Sequence, residues 1–117
     1  MQEKVRTAKL YKNYFLDFYR KQDAKTRSKI DWTIKIIEHE RIIPQEYFKR
    51  LKNTHGIWEI RIKLGSNIYR IMCFFDKDQL IILENGFQKK TQKTPKKEIK
   101  KAEKIKKEYF DEKESKS

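Results

Sequence analysis

The chain has 117 residues, 40% of them charged, and its formal net charge is +13. This length suits one small domain, and a hydrophobic content of 37% predicts a modest core. So large an excess of positive charge attracts polyanions and makes nucleic acid the expected partner, with an anionic membrane as the alternative. Because no long apolar run, signal peptide or lipidation motif is present, we expect no membrane association.

The cysteine and histidine content excludes two further kinds of site. Cys73 is the single cysteine, so an internal disulfide framework is excluded and the reducing cytoplasm is the expected compartment. The two histidines, His39 and His55, do not have the spacing of metal ligands. We therefore expect neither a metal ion nor another cofactor.

Helical periodicity dominates the first part of the chain, after a weak strand candidate at residues 5–10. A short amphipathic helix follows, with an apolar stripe formed by Tyr11, Tyr14, Phe15 and Phe18. Asp23 is a plausible N-cap for a second helix, which ends before Pro44. We expect residues 45–51 to add one further turn.

The hydrophobic period then changes from that of a helix to that of a strand. Trp58–Leu64 alternates between apolar and charged side chains, and Gly65–Asn67 is a turn signal. The apolar run Ile68–Phe75 is typical of a central, buried strand. Leu80–Phe87 is predicted to be a third strand.

A lysine-rich helix is predicted to close the fold. Residues 89–107 hold ten lysines and two glutamates, a net charge of +8. Thr94 suits the N-cap and Pro95 the first helical position, and one apolar stripe follows on the lysine-rich surface. We expect residues 111–117 to form a frayed tail. Together the elements predict a single α+β domain over residues 1–117.

Arg70 is the main anomaly of the apolar strand. A buried, unpaired charge is costly, so either Glu59 or Glu84 neutralises Arg70, or its face of the sheet is open and functional. If the hairpin closes through Gly65–Ser66, Arg61 lies directly opposite Arg70. Like charges in this position repel, but two arginines can bind one phosphate through bidentate hydrogen bonds.

The register of the third strand extends this cluster. A four-residue loop at Asp76–Gln79 would place Phe75 opposite Leu80 and Arg70 opposite Asn85. One face of the sheet would then hold Glu59, Arg61, Arg70, Asn85, Phe87 and Lys89. Ordinary solvated positions remain the alternative for Arg61 and for the lysines.

Four segments in this order and spacing resemble a known family. They are WEIR (Trp58–Arg61), YRI (Tyr69–Ile71), GFQKKTQKTP (Gly86–Pro95) and EIKKAEKIKKEYF (Glu98–Phe110). Over residues 5–110 the chain resembles the phage-derived Gp49-like, HigB-type branch of the RelE/ParE toxin superfamily. The resemblance implies a small microbial-ribonuclease-like fold, with helices packed on a mainly antiparallel, twisted sheet of about four strands.

The resemblance also implies a function. It is that of the toxin of a type II toxin–antitoxin system, an endoribonuclease that cleaves mRNA on the ribosome without a metal ion and inhibits translation. The implied partners are mRNA, ribosomal RNA and a cognate antitoxin, in this branch often a helix-turn-helix DNA-binding protein. The toxin alone would be monomeric and would form a larger complex with the antitoxin. The alternatives are a gyrase inhibitor of the same superfamily and a basic nucleic-acid-binding module.

Five residues are predicted to carry the chemistry. Arg61 and Arg70 would stabilise the phosphate, and Lys89 and Lys90 would contact it or transfer a proton. Glu59 would act as the base or would orient an arginine.

The predicted RNA- and ribosome-binding residues surround this centre. They are Lys63, Asn85, Phe87, Lys93, Lys96, Lys97 and Lys100. Many members of the family have a histidine directly before the Gly-Phe pair, where this chain has Asn85. An asparagine forms hydrogen bonds but does not transfer protons, so the proton-transfer groups must lie elsewhere.

Overall fold

The computed structural model describes residues 3–77, 80–89 and 93–116, without the side chains of residues 80–82 and 84. These residues form, in chain order, β1 (Thr7–Leu10), α1 (Tyr14–Arg20), α2 (Ala24–His39), β2 (Phe48–Arg50), β3 (Trp58–Leu64), β4 (Asn67–Asp76), β5 (Leu80–Lys89) and α3 (Lys96–Ser115). The predicted α+β class, with two N-terminal helices and a C-terminal helix, is confirmed. Within the described ranges no helix is long and apolar enough to cross a membrane.

A single sheet separates the helices into two layers. The strand order is β1-β5-β4-β3-β2, and β2 to β5 are antiparallel while β1 runs parallel to β5 at the edge. The helices α1 and α2 cover one face, where Ile30 and Ile37 pack with Ile60, Ile62 and Ile71. The helix α3 covers part of the other face, and its Ala102 packs against Ile57 and Met72.

Side chains stabilise both ends of α2. The predicted cap is confirmed, because the Asp23 carboxylate accepts a 2.8 Å hydrogen bond from the backbone N–H of Thr26. At the other end, the guanidinium of Arg6 donates to the carbonyl oxygens of Ile37, Glu40 and Arg41. Arg6 therefore satisfies carbonyls that the end of a helix leaves without partners.

Two sequence-based expectations about local structure are wrong. Only residues 45–47 of the predicted turn at 45–51 form a turn, and Phe48–Arg50 is the strand β2, paired with β3. The expected frayed tail at 111–117 is helical as far as Ser115. The reason is tertiary, because Lys113 forms a 2.6 Å ion pair with Asp76 at the end of β4.

The predicted register of the sheet is half correct. In the β3–β4 hairpin, Leu64 pairs with Asn67 and Arg61 lies directly opposite Arg70, as predicted. Between β4 and β5 the prediction is wrong, because Asp76 pairs with Leu80 and the register shifts again between Ile71 and Cys73. This β-bulge sets two residues of β5 against one of β4.

As a result Arg70 lies opposite Phe87 and not opposite Asn85. The pairing of Phe75 with Leu80 is also corrected, to Ile81.

Gly86 allows α1 to pack closely on the sheet. A Cβ atom at this position would lie 2.4 Å from Cδ2 of Phe18, which no packed structure tolerates. We predict that Gly86→Ala lowers the free energy of unfolding by about 1–3 kcal/mol, because the Phe18 ring must move. Urea denaturation checks this value.

The double variant with Phe18→Ala is the control for this packing argument. When the ring is absent, Gly86→Ala should cost much less, since the two effects share one contact. An equal cost in both backgrounds would contradict the proposed clash.

Asp76 anchors the end of α3 through a pH-dependent contact. Its carboxylate accepts hydrogen bonds from Lys113 and Tyr109. These bonds hold the pKa of Asp76 below its usual value, and the bond from Lys113 has the larger effect. These contacts therefore stabilise the fold fully above the unfolded pKa of about 3.9. Their stabilisation is lost as pH falls through the lower pKa of the folded protein. We predict that Asp76→Asn destabilises the protein by about 1–2 kcal/mol at pH 7, and that this difference shrinks below about pH 3.9.

Urea denaturation of both proteins between about pH 2.5 and 7 measures the effect, because this range includes the unfolded pKa of about 3.9. Asp111→Asn is the matched control, because Asp111 forms an exposed ion pair with Lys107 on the same helix. A pH-independent difference for Asp76→Asn would contradict the assignment.

Candidate functional site

The register of the sheet places charged side chains in three adjacent rows on the face that α3 partly covers. Directly opposite residues point to the same side of a sheet, and so do residues two positions apart along a strand. The rows are Lys49, Glu59 and Met72; then Arg61, Arg70 and Phe87; then Lys63, Ile68 and Lys89. The helix α3 begins beside the first row and runs towards Asp76, away from the third row.

Glu59 is the buried acid of the first row, with 1% of its surface exposed. Its Oε1 accepts a 3.0 Å hydrogen bond from Nε of Arg61 and lies 3.4 Å from Nε of Arg70. Its Oε2 accepts a 2.7 Å hydrogen bond from the hydroxyl of Thr94. Of the two acids considered for Arg70, Glu59 therefore forms an ion pair with it, and the side chain of Glu84 lies outside the described part.

Arg70 carries a positive charge that is almost completely removed from water. The residue is 8% exposed, and Nη1 donates a 3.2 Å hydrogen bond to the carbonyl oxygen of Tyr69. Its Nε–H has no hydrogen-bond acceptor among the described atoms, since its approach to Glu59 has the distance of an ion pair but not the geometry of a hydrogen bond. Burial lowers the pKa of Arg70, Glu59 raises it and Arg61 lowers it further. The guanidinium nevertheless stays protonated at neutral pH.

Arg61 is the more accessible member of the pair. Its side chain is 27% exposed, and Nη1 lies 3.4 Å from the carbonyl oxygen of Gln45. Two guanidinium groups thus share one carboxylate, which leaves a net positive charge at a partly desolvated position. An anion with several oxygens is the ligand that such a pair favours.

Lys89 lies within electrostatic range of both arginines. Its side chain is half-buried, and burial is the largest cause of its lowered pKa. The charges of Arg70, Arg61 and Lys49 lower this pKa further, and Glu59 partly offsets them. The structure therefore brings together four of the five residues that were predicted to carry the chemistry. The fifth, Lys90, lies outside the described residues.

Asn85 and Phe87 take a different place from the one expected. Asn85 is 2% exposed, and its Nδ2 lies 3.4 Å from Oε2 of Glu98 in the first turn of α3. Phe87 packs on the apolar cluster beneath α3, beside Met72. Both residues connect β5 to α3. Asn85 is buried and Phe87 is half-buried, and direct contact of either residue with RNA stays a prediction.

The remaining predicted binding residues are exposed lysines. Lys63 lies in the third row, two residues after Arg61 on β3, and the others precede α3 or lie in its first turns: Lys93, Lys96, Lys97 and Lys100. Within residues 3–77, 80–89 and 93–116, no group of three or more His, Cys, Asp or Glu side chains has the arrangement of a metal site.

Two site residues escaped the sequence analysis. Lys49 lies on β2, directly opposite Glu59 of β3. The sequence would have indicated its place only if residues 48–50 had been recognised as a strand that pairs with β3. Thr94 was expected to cap α3, but the N-cap residue is Pro95 and the Thr94 hydroxyl binds Glu59 instead. No pattern in the sequence distinguishes these two uses of a threonine hydroxyl.

Comparisons with known proteins agree with this architecture. The crystal structure of an archaeal RelE–RelB complex from Pyrococcus horikoshii OT3 contains a similar chain, with a TM-score of 0.53 and 18% sequence identity over 70% of this chain and 92% of that one. At this identity the likeness concerns the fold alone. A search of curated proteins gives no match. The family model described as "Phage derived protein Gp49-like (DUF891)" matches residues 17–107. The chain therefore belongs to the phage-derived Gp49-like family of RelE/HigB-type toxins.

Proposed function

We propose that this protein is the toxin of a type II toxin–antitoxin system and that it inhibits translation by cleaving mRNA on the ribosome. One observation carries the proposal: Arg61 and Arg70 lie directly opposite each other and share the buried carboxylate of Glu59. A sheet does not gain stability from opposed arginines, so their position opposite each other suits a phosphate ligand. The family match and the RelE-like fold support the same class of protein.

The chemistry needed is attack of a ribose 2′-hydroxyl on the neighbouring phosphate. Negative charge develops on the phosphate oxygens in the transition state, and fixed cations stabilise that charge strongly in a partly desolvated site. Arg61 and Arg70 would supply this stabilisation. Because each guanidinium offers several donors in one plane, the pair can bind two oxygens of one phosphate at the same time.

Proton transfer is assigned to lysine rather than to Glu59. Both oxygens of Glu59 already accept or face donors, so its role is to orient the arginines and balance their charge. As the 2′-oxygen bonds to phosphorus and the P–O5′ bond breaks, the 2′-hydroxyl would lose its proton to solvent water and Lys89 would protonate the leaving 5′-oxygen. The lowered pKa of Lys89 makes its ammonium a better acid for this step than an ordinary lysine. Lys90, assigned from the sequence alone, would contact the same phosphate.

The exposed lysines would bind the surrounding RNA. Lys63, Lys93, Lys96, Lys97 and Lys100 supply charge without base-specific geometry, which suits contacts to ribosomal and messenger RNA backbones in the cytoplasm. The partner that neutralises the toxin would be a cognate antitoxin, for which we favour a helix-turn-helix protein. The similarity to a chain of a RelE–RelB complex supports a proteinaceous partner.

We predict that Arg70→Ala and Arg61→Ala each lower the rate of mRNA cleavage about 10²–10³-fold, because each removes a donor to the transition-state phosphate. Arg70→Lys keeps the charge but loses the planar pair of donors, so it should recover only part of the activity. Induced expression with mapping of mRNA 5′ ends measures cleavage, and growth arrest reports toxicity.

Lys35→Ala is the matched control, because it removes an exposed positive charge from α2 on the opposite side of the sheet. This variant should cleave mRNA as the wild type does. Growth arrest with intact mRNA and DNA-damage signalling would instead identify a gyrase inhibitor. Full cleavage by a folded Arg70→Ala variant would contradict the proposed site.

The affinity for phosphate should depend on the protonation of Lys89. Its pKa in the folded protein is lower than the ordinary value of about 10.4, so the ammonium is lost at a lower pH than in an exposed lysine. We predict that the affinity for an uncleavable 2′-O-methyl RNA is highest at low pH and falls as pH rises through this lowered pKa. Fluorescence anisotropy at several pH values measures the dependence.

Lys89→Arg provides the control, since a guanidinium stays charged across this range. Its affinity should be nearly independent of pH below about 10. An unchanged pH profile in this variant would show that Lys89 is not the titrating group.

A further inference from the structure

Thr94 uses its hydroxyl in an unusual way for a threonine at the start of a helix. Such residues normally accept a hydrogen bond from a backbone N–H of the first helical turn. In this protein the N-cap of α3 is Pro95, and Thr94, one residue before it, donates a 2.7 Å hydrogen bond to Oε2 of Glu59. The bond joins the segment before α3 to the beginning of β3.

This hydrogen bond fixes the half of the Glu59 carboxylate that the arginines do not touch. Arg61 and Arg70 both approach Oε1, at 3.0 and 3.4 Å. The terminal torsion of a glutamate is broad, so contacts at one oxygen alone leave the plane of the carboxylate poorly defined. A donor at Oε2 defines that plane and, with it, the direction in which Oε1 meets each guanidinium.

The position of the hydroxyl depends in turn on the docking of α3. Near its beginning, Oε2 of Glu98 faces the amide of Asn85, and near its end Lys113 binds Asp76. Movement of the helix would therefore carry Thr94 away from Glu59.

We propose that Thr94 is a positioning residue of the phosphate site: its hydroxyl orients Glu59, and Glu59 holds the side chains of Arg61 and Arg70 in the geometry that binds RNA phosphate. The inference rests on the proposed function, because it takes the arginine pair as the site of RNA binding. Thr94 itself does not touch the RNA.

Two substitutions distinguish the contribution of the Thr94 hydroxyl from that of the rest of its side chain. Thr94→Val keeps the shape and removes the donor, whereas Thr94→Ser keeps the donor and removes a methyl group. Binding of a 2′-O-methyl RNA is measured by fluorescence anisotropy, exchange of the Arg61 Nε–H by NMR, and folding by thermal denaturation.

Thr94→Val should weaken RNA binding about tenfold and speed exchange of the Arg61 Nε–H, while it still unfolds cooperatively. Thr94→Ser should bind within about twofold of the wild type, because the hydroxyl is retained. This rescue distinguishes hydrogen bonding from packing.

An unchanged Arg61 Nε–H signal in Thr94→Val would overturn the role of Thr94, as would equal losses of affinity in the Val and Ser variants. A different result would contradict the proposed function itself. In that case Arg70→Ala would leave RNA affinity unchanged, whatever Thr94→Val does to the arginine signal.

Discussion

The ion pairs of Glu59 with Arg61 and Arg70 are the interaction on which the candidate site depends. Two like charges about 5 Å apart repel by about 3 kcal/mol at an effective dielectric constant of about 20. A carboxylate with 1% exposure is also unfavourable without partners. Each charge therefore needs the others, and the three side chains form one unit with a net positive charge. That residual charge, partly removed from water, is what makes the unit suited to a phosphate.

The helix α3 connects this unit to the rest of the fold. Its apolar stripe covers Met72 and Phe74, while its far end is held by the contacts of Tyr109 and Lys113 with Asp76. Because the helix covers only part of its face of the sheet, Arg61 stays partly exposed and Lys63 exposed, although Phe87 in the row of Arg61 packs beneath the helix. The same helix thus completes the apolar cluster around Met72 and borders the basic site. Stability and site geometry share one set of contacts.

The sequence predicts most of this arrangement where the information is local. Alternation marked β3, and the short turn at Gly65 placed Arg61 opposite Arg70 correctly. The register of β5 depends on a bulge near Met72, which no residue type signals, and β2 is too short to show a period. The length of α3 and the hydrogen bond of Thr94 depend on Asp76 and Glu59, which are distant in the chain. Tertiary contacts of this kind do not produce a periodic pattern in the sequence.

The most direct test of the central claim is a crystal structure of the protein with an uncleavable 2′-O-methyl RNA. We predict one phosphate within hydrogen-bond distance of the guanidinium groups of both Arg61 and Arg70, with Glu59 still bound to the arginines. RNA held only along the lysines of α3, with no phosphate at the arginine pair, would contradict it.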